Sequence, residues 1–132
     1  MQTIIGTTQG VHHSGLTVED IHVTLAFFME ALGFTTVGQR HDYPAFFISD
    51  GHTLITLWQA KGPGKIRAFD RHHHVGLHHL ALSTRQLSAV YTRLAARHDV
   101  RIEFSPEPLG KSLAKHMMCI IPGGLRLELI QT

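Results

Sequence analysis

The chain is poor in several things, and each shortage excludes something. It holds one cysteine, Cys119, so no intrachain disulfide is available and a reducing compartment is expected. No apolar run approaches the roughly 20 residues that a membrane-spanning helix needs. The opening MQTIIGTTQG has no charged n-region and no long apolar h-region, so the expectation is a cytoplasmic protein without a membrane partner. Charge is also scarce: 12 Lys and Arg against 10 Asp and Glu leave a net +2 with histidines neutral. The basic residues form no dense run, which argues against nucleic acid as a partner.

What is present describes a globular chain with one excess. Its 132 residues are 43% hydrophobic, enough for one domain with a real core. The excess is histidine, 12 in all, internal and scattered and hence not an expression tag. Two stretches carry histidines in a pattern. In Val75 to Thr84, VGLHHLALST, Leu80 and Leu82 share one parity while His79, Ala81 and Ser83 share the other. In a strand those sets lie on opposite faces, so a histidine stands among small residues across from a leucine face, which suits a cavity wall. Val11 to Val18, VHHSGLTV, repeats the pattern, with His13, Gly15 and Thr17 opposite Ser14, Leu16 and Val18.

Read in order, the chain performs one sequence of elements twice. After the first strand, Ile21, Leu25, Phe28 and Leu32 recur at helical spacing, with Glu19 and Asp20 before them and Gly33 after, so a helix is expected over Glu19 to Leu32. Strands are expected at Phe34 to Arg40, Ala45 to Ser49 and Thr53 to Gln59, the last two joined by the tight turn Asp50-Gly51. Residues 60 to 76, with Gly62-Pro63-Gly64 and His72 to His74, read as a solvated linker. The second round is a strand at His78 to Ser83, a helix through Leu87, Val90, Tyr91 and Leu94, and strands at Val100 to Phe104, Lys115 to Ile121 and Leu125 to Ile130. Ser105 to Ala114 reads as a loop because of Pro106, Pro108 and Gly110. The expected organisation is a single domain of module one (11–59), linker (60–76) and module two (77–131). His13 to His79 is an offset of 66 and Gly51 to Gly123 one of 72, which places about six extra residues in the 105–114 loop.

Strand parity then selects chemistry. In LRLELIQ, Leu125, Leu127 and Leu129 share one parity and Arg126, Glu128 and Ile130 the other. If the leucines face the helices, Glu128, His79 and His13 point the opposite way, whereas His12 and His78 turn to the helix side. Two histidines and one carboxylate on separate strands make the ligand set of a facial triad, which leaves open positions for substrate or water. A lone histidine on a strand is more often just a hydrogen-bonded residue, so the three carry weight only together. Cys119, on the other parity, reads as a small buried hydrophobe.

The paired βαβββ order, with HHSGLTVED, Leu32-Gly33-Phe34, VGLHHLALST and PGGLRLEL at these stations, resembles the vicinal oxygen chelate superfamily. That family includes glyoxalase I, extradiol dioxygenases, methylmalonyl-CoA epimerase, fosfomycin-resistance thiol transferases and bleomycin-binding proteins. The resemblance implies an α+β fold of two βαβββ modules whose mixed sheets curl into cups, and a homodimer. It implies a divalent metal (Fe, Mn, Zn or Ni) held by His13, His79 and Glu128, within one chain or across the dimer. Thr56 stands where a fourth ligand often lies, which favours a three-ligand centre. The family pattern turns the parity of His116 and Met118 into the cup, making His116 the acid/base candidate, and places Phe46 and Trp58 on the wall of module one. The implied activity is Lewis-acid chemistry on a small oxygenated substrate. The alternative is a metal-free protein of the same fold that sequesters a small molecule such as an antibiotic.

Overall fold

The computed structural model describes residues 6–62 and 66–132. Module one consists of strand β1 (Ser14–Val18), helix α1 (Ile21–Leu32), β2 (Thr35–Arg40), β3 (Ala45–Ser49) and β4 (Leu54–Gln59). Module two repeats this as β5 (Leu80–Ser83), α2 (Leu87–Ala95), β6 (Arg101–Pro108), β7 (Lys115–Ile120) and β8 (Arg126–Gln131). Each module forms a four-stranded mixed sheet, in the orders β1-β4-β3-β2 and β5-β8-β7-β6. The first strand of each pairs in parallel with the last, so the intervening helix crosses over one face, and the other face is left open. This α+β architecture is the one expected. Pro63 and Gly64 of the expected linker lie outside the described residues. Among the described residues, no helix is long and apolar enough to cross a membrane.

The helix termini show how sequence sets local structure. Asp20 lies before α1 rather than inside it, because its carboxylate accepts from the backbone N–H groups of His22 and Val23 at 3.0 and 3.2 Å, the usual work of an N-cap. Gly33, at φ 73°, ends the helix in the left-handed conformation, which costs a glycine little. Both helices share a further device. The Ile21 N–H donates to Gln59 Oε1, and the Leu87 N–H to Gln131 Oε1, each at 2.9 Å. The last residue of each closing strand thus takes the first orphan donor of its module's helix. α2 has no side-chain cap of its own, so Gln131 matters more to it.

Equivalent strand starts locate the length difference between modules. Ser14 against Leu80 and Thr35 against Arg101 keep the offset of 66, which widens to 70 between Ala45 and Lys115 and to 72 between Leu54 and Arg126. Four of the extra residues therefore fall in β6 and the connection after it, and two in β7 and the turn before β8. The first four residues of the expected 105–114 loop are strand instead, since β6 runs on through Pro106 to Pro108. Proline is tolerated there because β6 is an edge strand and its register slips between Phe104 and Glu107, a bulge where a ladder donor is not needed.

One hydrophobic cluster joins the two modules, from Leu16, Val18, Phe27, Phe28 and Ile55 to Leu94, Met117, Cys119, Leu127 and Leu129. Polar contacts stitch the helix sides together: the Thr24 hydroxyl donates to Pro122 O at 3.2 Å, Arg93 donates to Ala31 O at 3.1 Å, and the Arg97 guanidinium lies over the Phe27 ring at 5.5 Å. Gly123, at φ 100°, closes this seam, since a Cβ there would stand 2.8 Å from the Thr24 hydroxyl. The helix-covered faces are thereby spent on each other. On the opposite faces, Gly15, Thr17, Ala81 and Ser83 of the first strands remain exposed.

Two outcomes are expected. Replacing Gln131 with Ala removes the partner of the Leu87 N–H and lowers unfolding stability by about 1 kcal/mol, read as a shifted urea midpoint; an unshifted midpoint would remove the capping role. Burial, with the Glu103 charge adding to it, pushes the Cys119 thiol up to about 12. A thiolate is therefore absent at pH 8, and a thiol reagent should label native protein only at the rate of global unfolding.

Candidate metal centre

The register of β5, β7 and β8 sets the open face of module two. Glu128 pairs with Ala81 on one side and Met118 on the other, and Ile130 pairs with Ser83 and His116. Residues directly opposite share a face, so Glu128, His116 and Met118 stand together, as parity for Glu128 and the family pattern for the other two implied. Glu128 is 7% exposed, and a buried carboxylate needs partners to remain charged. It has two: His79 Nε2 lies 3.1 Å from Oε1, and His116 Nδ1 lies 2.6 Å from Oε2. The His116 ring packs against Phe104 at 4.8 Å between centroids, and its Nε2 is 3.9 Å from Glu107.

The donors fit a divalent ion in part. Ligand atoms ~2.1 Å from a metal and roughly 90–110° apart stand about 3.0–3.4 Å from each other, and the His79 Nε2 to Glu128 Oε1 separation is 3.1 Å. The second carboxylate oxygen is already oriented by His116, the kind of support that ligating carboxylates receive. His13 is not brought to this place. Its Nδ1 meets the Nδ1 of His12 at 2.9 Å, and among the described residues no group of three His, Cys, Asp or Glu is placed to hold a metal.

An ionic chain continues from the centre. Arg126 grips Glu103 with Nε and Nη2, both at 2.8 Å, and Arg71 reaches Glu103 at 3.0 Å. The register shift between Ile102 and Phe104 lets Glu103 and Phe104 stand where a regular ladder would place one residue. Hydrogen bonding from Arg126 is the main cause holding the Glu103 carboxyl below its usual range. The Nη1 of Arg126 then meets His78 Nδ1 at 3.1 Å, and His78 Nδ1 meets His79 Nδ1 at 2.8 Å. Lost hydration, followed by the Arg126 charge, lowers the His78 pKa from its ordinary value. His78 was expected on the helix side. It departs from that because β5 begins at Leu80, so strand parity does not reach back to it.

Module one offers different chemistry at the matching stations. Thr56, the counterpart of Glu128, is 7% exposed, and its hydroxyl accepts from the Trp58 indole N–H at 2.9 Å. Trp58 lies edge-on to Tyr43 at 5.0 Å and tilted to Phe47 at 6.2 Å. Arg40 stands 5.8 Å from the Trp58 ring centre and Lys61 stands 4.3 Å from that of Tyr43. Phe46 is a correction. It pairs with Leu57 across β4, packs against the core and touches the His22 ring of α1 at 5.7 Å, so Phe47 is the aromatic on the open face. Consecutive phenylalanines give both parities the same hydrophobic signal, and only the register separates them.

Sequence reading also missed Glu107, Glu103 and the link from Arg126 to His78. Arg126 was visible on the parity of Glu128, but its partners come from bulged and loop positions that carry no period. His72 to His74 form an exposed turn about Asp70, whose carboxylate accepts from His72 N at 2.9 Å and contacts His73 Nδ1 at 2.7 Å. A surface hollow of ≈ 740 Å³ is walled by Asp20, Gln59, Asp99 and Pro122 and contains no histidine. Chemistry therefore favours the open face of module two over this hollow.

Several solved structures share this fold. A glyoxylase/bleomycin resistance protein/dioxygenase domain from Frankia sp. EAN1pec aligns with a TM-score of 0.81 at 23% identity, covering 95% of this chain and 98% of that one. Lactoylglutathione lyase from Agrobacterium tumefaciens aligns at 0.70 and 16% identity, covering 96% of each chain. A mutant of the fosfomycin resistance protein FosX from Listeria monocytogenes, complexed with Mn(II) and 1S,2S-dihydroxypropylphosphonic acid, aligns at 0.70 and 15% identity, covering 93% of this chain and 90% of that one. No curated protein matches the sequence. The sequence pattern of one family spans residues 10–129, and with the paired βαβββ sheets it shows that the chain belongs to the Glyoxalase/Bleomycin resistance protein/Dioxygenase superfamily.

Proposed function

We propose that the protein is a divalent-metal-dependent enzyme acting on a small substrate through two adjacent oxygens, at a site shared between two copies of the chain. The observation that carries this reading is the Glu128 carboxylate, buried on the open face with His79 Nε2 at 3.1 Å and His116 Nδ1 at 2.6 Å. His79 and Glu128 would hold the ion, and His13 of a second copy would complete the set. A divalent ion held there supplies Lewis acidity, polarising the substrate oxygens as negative charge develops on them.

The remaining work falls to side chains. With its Nδ1–H donated to Glu128, His116 has a lone pair on Nε2 and can accept a proton from the substrate. The imidazolium formed then stands between Glu128 and Glu107, 2.6 and 3.9 Å away. Phe104 covers the ring and limits water. In the paired arrangement, Trp58 and Phe47 of the second copy would form the apolar wall for the body of the substrate. Exposed apolar side chains beside both histidine pairs support a homodimer: Val11 is 87% exposed, and Leu77 is 49% exposed just before His78, the kind of surface a partner covers. Mn(II) in the FosX mutant structure supports the choice of a divalent ion.

Metal analysis tests the reading. Glu128→Ala and His79→Ala should lose bound divalent metal, and full metal content in Glu128→Ala would sink the ligand assignment. His116→Gln can still hold Glu128 but has no base, so it should keep its metal and lose turnover by about 10²-fold. Mixed dimers of His13→Ala and Glu128→Ala chains should regain half the native metal content, because one of their two sites is intact. Heterodimers that form without regaining metal would place the site within one chain.

A second reading, a metal-free binding protein, is favoured by the cluster of Trp58, Tyr43 and Phe47, which offers ring faces and edges to a flat ligand. Trp58 is the sole tryptophan, so ligand binding should change its fluorescence. Binding and turnover abolished by a chelator and restored by metal support the enzyme; tight binding indifferent to chelator supports sequestration.

A further inference from the structure

We propose that Arg126, acting through His78, dictates which nitrogen of His79 carries a hydrogen, leaving Nε2 as the nitrogen that meets a divalent cation beside Glu128. Arg126 would be a positioning residue, touching neither metal nor substrate. The inference rests on His79 and Glu128 being metal ligands, and it adds how the orientation of one of them is set.

A guanidinium can only donate. Two of the three Arg126 nitrogens are committed to the Glu103 carboxylate, at 2.8 Å each. The third, Nη1, faces His78 Nδ1 at 3.1 Å and His78 O at 3.3 Å. With Nη1 donating one hydrogen to the carbonyl and one to the ring, His78 Nδ1 is an acceptor whose single lone pair is shared among its donors, and the hydrogen of His78 resides on Nε2. His79 Nδ1 lies 2.8 Å from that same bare His78 nitrogen. Two bare nitrogens at this separation would repel, so His79 Nδ1 holds a hydrogen and donates it. What remains is Nε2, 3.1 Å from Glu128 Oε1. Whether or not Nε2 shares a proton with Glu128 in the metal-free protein, Nδ1 keeps its hydrogen, and Nε2 is where a cation substitutes.

The other histidine pair shows what the arginine adds. His12 and His13 adopt a similar arrangement, with Nδ1 atoms 2.9 Å apart and ring centres at 5.1 Å, the same centroid distance as in His78 and His79. Among the described residues no arginine is hydrogen-bonded to that pair, whose bond is to each other, so either nitrogen there can be the donor. The two tautomers of neutral imidazole differ little in energy in water, and the hydrogen bond made by one nitrogen decides the state of the other. A continuous chain from Arg71 through Glu103, Arg126 and His78 thus ends at the lone pair that a metal needs.

Two-bond ¹H–¹⁵N correlation spectra of the histidine rings, recorded on the full chain without metal and with Zn²⁺, test this directly. His79 Nδ1 should carry a hydrogen in both states, with the change on zinc addition confined to Nε2. His78→Phe removes the acceptor while leaving the pair of Arg126 and Glu103 in place; His79 should then gain the Nε2–H tautomer, and zinc affinity should fall about tenfold. Arg126→Gln should produce the same redistribution, and His78→Phe carries the test alone if that variant does not fold. A metal-free spectrum with bare Nδ1 on His79 would overturn the proposal, as would unchanged His79 signals in folded His78→Phe. Should the chain take up no zinc, the metal reading fails, while the metal-free spectrum still judges the tautomer.

Discussion

The Glu128 carboxylate is the constraint on which the site depends. Burying an ionised carboxylate without partners costs several kcal/mol, and this one is shielded on both flanks, by Ala81 on β5 and Met118 on β7. Its two oxygens are each given to a different histidine. One histidine arrives from the chain entering β5 and the other from β7, so the sheet register itself assembles the charge cluster. Removing either partner would leave part of a buried charge uncompensated, so the cluster braces the strands it spans.

Duplication explains why this charge appears once. Structural devices are kept in both modules: the closing-strand glutamine that receives the first helix N–H, the paired histidines before the first strand, and the strand order. Chemistry is divided between them. Where module two has a carboxylate held by imidazoles, module one has Thr56 holding the indole of Trp58. One open face is ionic and the other aromatic. Neither alone combines charge stabilisation with an apolar wall, and their combination is what a small polar substrate with a carbon body requires.

The sequence made this division legible wherever side chains sat within regular strands. Glu128 follows from period-2 alternation, because the leucine parity of its strand had to face a helix; the stations of His116, Met118, Thr56 and Trp58 come from the family resemblance. Legibility ended where the period ended. His78 precedes β5, Glu103 stands at a bulge, and Glu107 lies beyond a second one; no alternation rule reaches those positions. Phe46 and Phe47 failed for a different reason, since adjacent residues of one type erase the contrast on which parity depends. Pro106 and Pro108 suggested a loop, and only the edge position of β6 made a strand compatible with them.

The way the modules pack bears on where the two kinds of chemistry can meet. Within one chain the helix-covered sides are already joined, through Thr24 to Pro122, Arg93 to Ala31 and a shared core. A sheet face cannot turn toward its neighbour without giving up that core, which at about 25 cal/mol per Å² is the dominant stabilising term. The open faces are therefore free only to meet something outside the chain. Under the function proposed above, a second copy would satisfy that condition, because its module one would bring His13 and the cluster of Trp58, Tyr43 and Phe47 together. In that arrangement the position of His13, paired with His12 and apart from Glu128, is a consequence of the monomer's packing: this donor is presented outward, away from the chain's own carboxylate.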